Sequence, residues 1–207
     1  MSFWHFRRLY IGGDVKTEKC LYYSGVGSRD ISDEEWDIMV AVARWLAQWL
    51  KLRSGKAGGS DSAFEYGVSL SNFPDNKEIY IPWPKFEGNE IAGEKICLDS
   101  PDTMNYAISV KYAKEIHPAW DRLSQGAKKL HQRNVHQVLG RDLENPVPSL
   151  FLLACSDVDK NGDAKGGTRT AWMLAKQFNI PCFNIRGKSK REIFEFIKPI
   201  LEETINA

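Results

Sequence analysis

The sequence predicts an α/β protein built on a Rossmann-like parallel sheet with helices on both faces, a single domain with a helical insert. Three observations predict it. Short apolar runs alternate along the chain with longer amphipathic stretches, the pattern of strands joined by crossover helices. Two Gly/Ser turns, Tyr22-Tyr23-Ser24-Gly25-Val26-Gly27-Ser28-Arg29-Asp30 and Leu52-Arg53-Ser54-Gly55-Lys56-Ala57-Gly58-Gly59-Ser60-Asp61, stand where a strand hands over to a helix. A third, Lys165-Gly166-Gly167-Thr168-Arg169-Thr170, arrives late. Ligands of such sheets bind outside the carboxyl ends of the strands, so function is to be sought where the three turns meet.

Residues 1–19 are aromatic and basic without a clear period, and read as an N-terminal arm or short strand. Cys20–Ser24 is a short apolar run ending in glycine, a buried strand. Ser32-Asp33-Glu34-Glu35 opens a helix as a capping box, with Ser32 at the N-cap and Glu35 three residues on. That helix is expected to run to about Leu50, with Trp36, Val40, Ala43, Ala47 and Leu50 on one face and Trp45 and Trp49 covering a neighbouring element. Leu52–Ser54 is read as a strand from its place before a glycine turn, and Ser60–Leu70 as the next helix. Glu78–Pro82 is a third strand, stopped by Pro82 and Pro84. Residues 85–100 read as loop. From about 103 to 143 the pattern turns helical, broken near Pro118 and Gly126 and ended by Pro146 and Pro148. Ser149–Ser156 is the strongest buried-strand signal, followed by a polar loop over Asp157–Gly167, a helix over Gly167–Phe178, a strand over Pro181–Ile185 and a closing helix over Ser189–Ile205.

The chain has 207 residues, 43% of them hydrophobic, with mean hydropathy −0.41 and net charge +1. That length suffices for one domain with a sizeable core over 1–207. The balanced charge argues against bulk binding of nucleic acid, which usually shows a basic excess. Cys20, Cys97, Cys155 and Cys182 are scattered, without a Cys-x-x-Cys pair, so reduced thiols are expected and a structural zinc site is not. No run reaches the roughly 20 apolar residues of a membrane span, and Met1–Arg8 lacks the apolar stretch of a secretion signal. A cytoplasmic protein with no membrane partner, no metal and no cofactor is expected.

The first turn, with Gly25, Gly27, Ser28 and Arg29, leaves room for a phosphate that Arg29 can grip in bidentate fashion; a surface ion pair of Arg29 with Asp30 or Asp33 is the plain alternative. Ser54, Gly55, Gly58, Gly59 and Ser60 offer small groups at the second turn. Asp61 and Glu65 are four apart and share a helix face. Near a sugar, Asp61 can accept hydroxyl hydrogen bonds and Glu65 can act as general acid or base, so both are candidate catalytic residues; otherwise Asp61 caps the helix and Glu65 is solvated. Polar groups crowd one or two turns at Gln132-Arg133-Asn134-Val135-His136-Gln137, where Arg133 and Asn134 can reach a ligand. Asp157 stands just past the best strand. Gly166, Gly167, Thr168 and Thr170 open a helix whose free N–H groups favour an anion, with Lys165 and Arg169 adding positive charge. Trp83 and Trp120 can stack on a base or simply pack in the core.

Taken in order, Val-Gly-Ser-Arg, then Ser-Gly-x-Ala-Gly-x-Asp-x-x-Ala, a strand ending Ile-Pro-x-Pro, Arg-Asn, and strand–loop–Gly-Gly-Thr-x-Thr resemble the Rossmann-like superfamily that joins the DNA-processing protein DprA to the LOG ("Lonely Guy") nucleotide phosphoribohydrolases. The resemblance spans about residues 20–186. It implies ligand contacts at Gly25, Gly27, Ser28, Arg29, Ser54, Gly55, Gly58, Asp61, Arg133, Asn134, Gly167, Thr168 and Thr170. The LOG pattern Pro-Gly-Gly-x-Gly-Thr-x-x-Glu stands here as Lys165-Gly166-Gly167-Thr168-Arg169-Thr170-Ala171-Trp172, without its proline and glutamate, and the motif order is closer to DprA. Small stand-alone members of the superfamily are proposed to bind or process nucleotide-derived signals, including in conflicts between phages and hosts, and this chain looks most like one of those. Three functions therefore stand open: a binder that senses or sequesters a nucleotide-type small molecule, a hydrolase or transferase of N-glycosidic bonds, and a DprA-like binder of single-stranded DNA. A homo-oligomer is expected from the tryptophan surplus around residues 36–50.

Overall fold

The computed structural model describes residues 20–88, 95–97 and 103–205; the expected N-terminal arm lies outside them. Strands β1 (Tyr22–Gly27), β2 (Lys51–Ser54), β3 (Lys77–Ile81), β4 (Lys95–Cys97), β5 (Leu152–Cys155) and β6 (Cys182–Asn184) form one sheet in the order β4-β3-β2-β1-β5-β6. Every neighbouring pair is parallel. The chain builds outward from β1 to β4, then returns to lay β5 on the other side of β1. The switch point of the sheet is thus the gap between β1 and β5, where Gly27 is opposite Cys155.

Alternation along the strands divides the core into two layers. Tyr23, Leu52, Ile79, Phe151 and Leu153 face helices α1 (Asp33–Leu46), α2 (Ser60–Ser69) and α6 (Lys190–Ile205). Val26, Leu152 and Ala154 face α3 (Met104–Ile116), α4 (Gln125–Leu139) and α5 (Thr168–Gln177). Tyr23 stacks on Phe151 with ring centroids 5.8 Å apart and meets Phe64 edge-on at 6.4 Å. Such pairs contribute about 0.5–1.5 kcal/mol beyond the area they bury.

The capping box at α1 is present: Ser32 Oγ accepts from the Glu35 amide and Glu35 accepts from the Ser32 amide. The helix stops at Leu46, a turn earlier than its apolar spacing predicts, and buries Ile38, Met39, Val42, Ala43 and Leu46. Trp36 and Val40 are instead spent on α2. Trp36 lies 6.1 Å from the Tyr66 ring, and Gly67 lets α2 approach the Val40 carbonyl, which a Cβ at that position would strike. Trp45 covers a neighbouring element as expected, meeting Phe194 of α6 edge-on at 4.8 Å beside Trp49. The aromatic surplus around 36–50 is therefore packed largely within the chain.

The stretch expected to be loop at 85–100 contains β4. Three residues carry no readable period, so Lys95-Ile96-Cys97 becomes a strand only through pairing with β3. The helical region breaks after Ile116, just before Pro118, and resumes at Gln125 with Ser124 capping. Gly126 lies inside the first turn of α4 rather than at a break. The second half of this region is no peripheral excursion: α4 packs on β1, β2 and β3 and against α5. No helix among the described residues is long and apolar enough to cross a membrane.

Candidate functional site

A cavity of about 420 Å³ opens over the β1–β5 switch point. Its walls come from the loop after β1 (Val26, Gly27, Ser28, Arg29), the second turn and start of α2 (Ala57, Asp61), one face of α4 (Ala127, Leu130, His131, Arg133, Asn134, Gln137), the end of β5 (Ser156, Asp157) and the entry to α5 (Lys165 to Thr168). The three glycine-rich turns converge here, although not every glycine in them faces the cavity.

Glycine serves two purposes at these turns. At Gly27 an added Cβ would sit 2.5 Å from the Cys155 carbonyl and from Ser60 Oγ, so its absence lets β5 and α2 close on β1. Gly59 has φ +77°, and a Cβ there would meet the Ser28 and Arg29 carbonyls at 2.5 Å. The first two turns are thereby pinned together, with Ser60 donating from both amide and hydroxyl to the Ser28 carbonyl at 3.0 and 2.9 Å. Gly25 instead makes room for the Phe64 ring and Leu52. Gly55 makes room for Arg133: a Cβ there would land on the guanidinium. Gly58 faces open space, as do Gly166 and Gly167 at the mouth of α5.

The floor carries a buried ion pair. Arg133 Nη1 donates to Asp61 Oδ2 at 2.8 Å, and the two side chains are 6% and 4% exposed. Burial pushes the Asp61 carboxyl above its ordinary value, and the guanidinium holds against that rise. Arg133 Nε and Gln137 Nε2 are buried beside the pair without a protein partner. Next along α4, Asn134 Nδ2 donates to the Gly167 carbonyl at 2.7 Å, tying α4 to the start of α5. His131 Nδ1 and Thr170 Oγ1 lie 2.7 Å apart. Burial, with His117 and Arg133 close by, lowers the His131 pKa to about 4, so it is a neutral imidazole at physiological pH.

α5 begins at Gly167 without a side-chain cap and has no acidic residue in its first turn. The positive end of its dipole is left to an anion, although the Arg169 amide already donates to the Gly166 carbonyl at 3.3 Å. Lys165 and Arg29 stand at the rim, Arg29 61% exposed and 3.4 Å from Glu87. Asp157 is bound by Arg186, which also reaches Glu35 at 3.2 Å. The fixed charges on the cavity wall are thus offset except at the α5 end.

Of the sequence candidates, Gly27, Ser28, Arg29, Asp61, Arg133, Asn134, Asp157, Gly166, Gly167 and Thr168 line the cavity. Gly25, Ser54, Gly55, Gly58, Gly59 and Thr170 stand behind the wall or beside it; Ser54 Oγ donates to the Gly25 carbonyl at 2.7 Å. Glu65 is also off the wall. Its two oxygens are held by Lys56 Nζ at 2.8 and 2.7 Å, from a lysine in the left-handed backbone region at φ 63°. Sequence reasoning missed His131, Leu130 and Ala127, which a helical wheel centred on Asn134 finds at i−3, i−4 and i−7. Asp157-Val158-Asp159-Lys160-Asn161-Gly162-Asp163 has the acidic spacing of a calcium loop, but its carboxylates are committed elsewhere. Asp159 accepts from the Asn161 and Asp163 amides and from Arg169, and Asp163 accepts from Trp172 and Lys176. Among the described residues no group of three or more His, Cys, Asp or Glu could hold a metal ion.

No family model and no curated protein matches the chain. Among solved structures it is similar to DNA processing protein A from Helicobacter pylori, a structure presented for its single-stranded DNA binding mode. The identity is 15% and the TM-score 0.48, over 83% of this chain and 68% of that one.

Proposed function

We propose that this chain binds a nucleotide or nucleotide-derived small molecule in the cavity over the β1–β5 switch point, as a sensor or sequestering protein. The observation that carries the reading is the cavity itself, with the uncapped start of α5 and Lys165 opening into one end. A phosphate at that end meets the helix dipole, the open Gly166–Gly167 backbone and an ammonium group. Asp61 and Asn134 stand further in, where sugar hydroxyls can be received, and Val26, Ala127 and Leu130 give an apolar wall for a base. The volume falls in the roughly 300–1,000 Å³ range of small-ligand sites.

One observation favours a second reading, hydrolysis of an N-glycosidic bond. Asp61 lines the cavity, where a carboxylate held by Arg133 can act as a general base toward a water or a sugar hydroxyl. The Lys56 clamp on Glu65 removes the other proposed carboxylate from that chemistry.

Native mass spectrometry of freshly purified protein, followed by calorimetric titration with the ribonucleoside 5′-monophosphates, tests the first reading. Lys165→Ala is expected to weaken binding about tenfold or more through loss of a charge-assisted contact. Nucleotides that bind wild type and the Lys165→Ala and Asp61→Asn variants equally would remove this cavity as the site. Release of free base that stops in Asp61→Asn would establish the hydrolase. Affinity that climbs with oligonucleotide length and falls steeply with salt would instead mark a single-strand binder.

A further inference from the structure

We propose that α4 serves two ligand sites, and that its opposite face forms a second, smaller site for one nucleotide unit, lying between α3, the Trp120–Arg122 turn and α4. Of the α4 positions that meet the switch-point cavity, 127, 130, 131 and 134 follow the i, i+3, i+4, i+7 pattern of one helix face, with Arg133 and Gln137 beside them. Positions 125, 128, 129 and 132 repeat that pattern on the opposite face and line a separate cavity of about 230 Å³. Tyr106 and Val110 of α3 and the Trp120 indole complete it.

Three features give this cavity a chemistry. Gln132 is 6% exposed, lines the cavity and forms no side-chain hydrogen bond or ion pair among the described residues. Its amide, left unpaired by the described residues at the cavity wall, is available to a ligand's donor and acceptor. Its donor and acceptor lie in one plane, as the hydrogen-bonding edge of a base requires. The Tyr106 and Trp120 rings supply walls against which a flat ring packs. Lys128 Nζ sits 5.7 Å from the Trp120 ring centroid, so a cation is held at the aromatic wall where a phosphate can reach it. Flat ring, hydrogen-bonding edge and negative charge together describe a nucleotide unit, either free or as one residue of a strand. This second site does not depend on what occupies the first.

The test is titration of the isotope-labelled protein with deoxyadenosine 5′-monophosphate and with oligo-dA of two and six nucleotides, followed by amide and indole NMR. The Trp120 indole resonance is assigned from Trp120→Phe. The indole and the amides of 104–110 are expected to shift on a saturation curve of their own, which Gln132→Leu and Lys128→Ala each weaken about fivefold or more while the curve of 166–169 stays put. Lys165→Ala is expected to do the reverse, so failure of either site is seen separately. Shifts produced by the mononucleotide assign a free ligand; shifts produced only by the oligomers assign a strand, and both support the site. An indole that stays still with every probe, or that moves on the 166–169 curve in wild type and both α4 variants alike, overturns it.

Discussion

Gly55 offers the sharpest test of how the floor of the cavity is held. Its backbone is not in the left-handed region, so alanine is conformationally permitted there. The obstacle is the Arg133 guanidinium, which occupies the place a Cβ would take. Gly55→Ala must expel that group, and expulsion takes the 2.8 Å contact with Asp61 with it. Breaking a buried ion pair costs about 3–5 kcal/mol, because the remaining charge stays buried without its partner. For a chain of this length that is a fall in Tm of roughly 6–20 °C. In an Arg133→Ala background the obstacle is gone and the pair already lost. There Gly55→Ala should change stability by less than about 1 kcal/mol, and in the stabilising direction, since alanine restricts the unfolded chain. Urea unfolding of the four proteins closes the double-mutant cycle. Equal losses from Gly55→Ala in both backgrounds would refute the claim that the glycine exists to seat Arg133.

Acid should weaken the fold through two imidazoles. Burial lowers the pKa of both His131 and His136 to about 4. An unfolded chain therefore takes up protons from about pH 6.5 downward while the fold does not, so stability rises with pH between about 4 and 6.5, by up to about 3 kcal/mol per residue. Urea midpoints measured at pH 7.5, 6 and 5 should decline in wild type and decline less in His136→Gln; parallel slopes would refute the assignment. At the second turn, neighbouring glycines should behave oppositely. Gly59→Ala meets two carbonyls in a left-handed backbone and should cost about 1–3 kcal/mol, whereas Gly58→Ala meets open space and should change stability by no more than about 0.5 kcal/mol. Thermal unfolding separates them, and equal effects would show that the turn relaxes.

The architecture was legible because it rests on local signals that tertiary packing did not have to override. The capping box at Ser32 and Glu35, the apolar run at 149–156 and the proline stops after β3 and α4 each name an element boundary by a mechanism confined to a few residues. What failed was where the decision lay in a neighbour. β4 is three residues long and exists through its pairing with β3. The turning of Trp36 and Val40 toward α2 goes with the close approach at Gly67, and nothing in the periodicity of α1 reports how near α2 will come.

At the site the same division runs between residue type and direction. Small residues at three turns converge on one cavity, and at the first two of them the missing Cβ of Gly27 and of Gly59 is what lets the loops close. Whether a given glycine faces ligand or protein depends on its opposite number. Gly25 answers to Phe64 and Gly55 to Arg133, residues 39 and 78 positions away in a sequence that does not show the pairing. Asp61 and Glu65 pose the problem most plainly. They share a helix face, and spacing alone gave both the same claim on a ligand. What separates them is Lys56, which reaches Glu65 from a left-handed backbone position, and Arg133, which arrives from α4 to hold Asp61 at the cavity wall. A helix as polar as residues 131–137 is buried because four of its groups find particular partners: Thr170 for His131, Asp61 for Arg133 and Gly167 for Asn134 across the fold, and Gly140 one turn on for His136. Sequence marks such a helix as anomalous for a surface, and that anomaly, more than any single motif, is the signal that α4 belongs to the site.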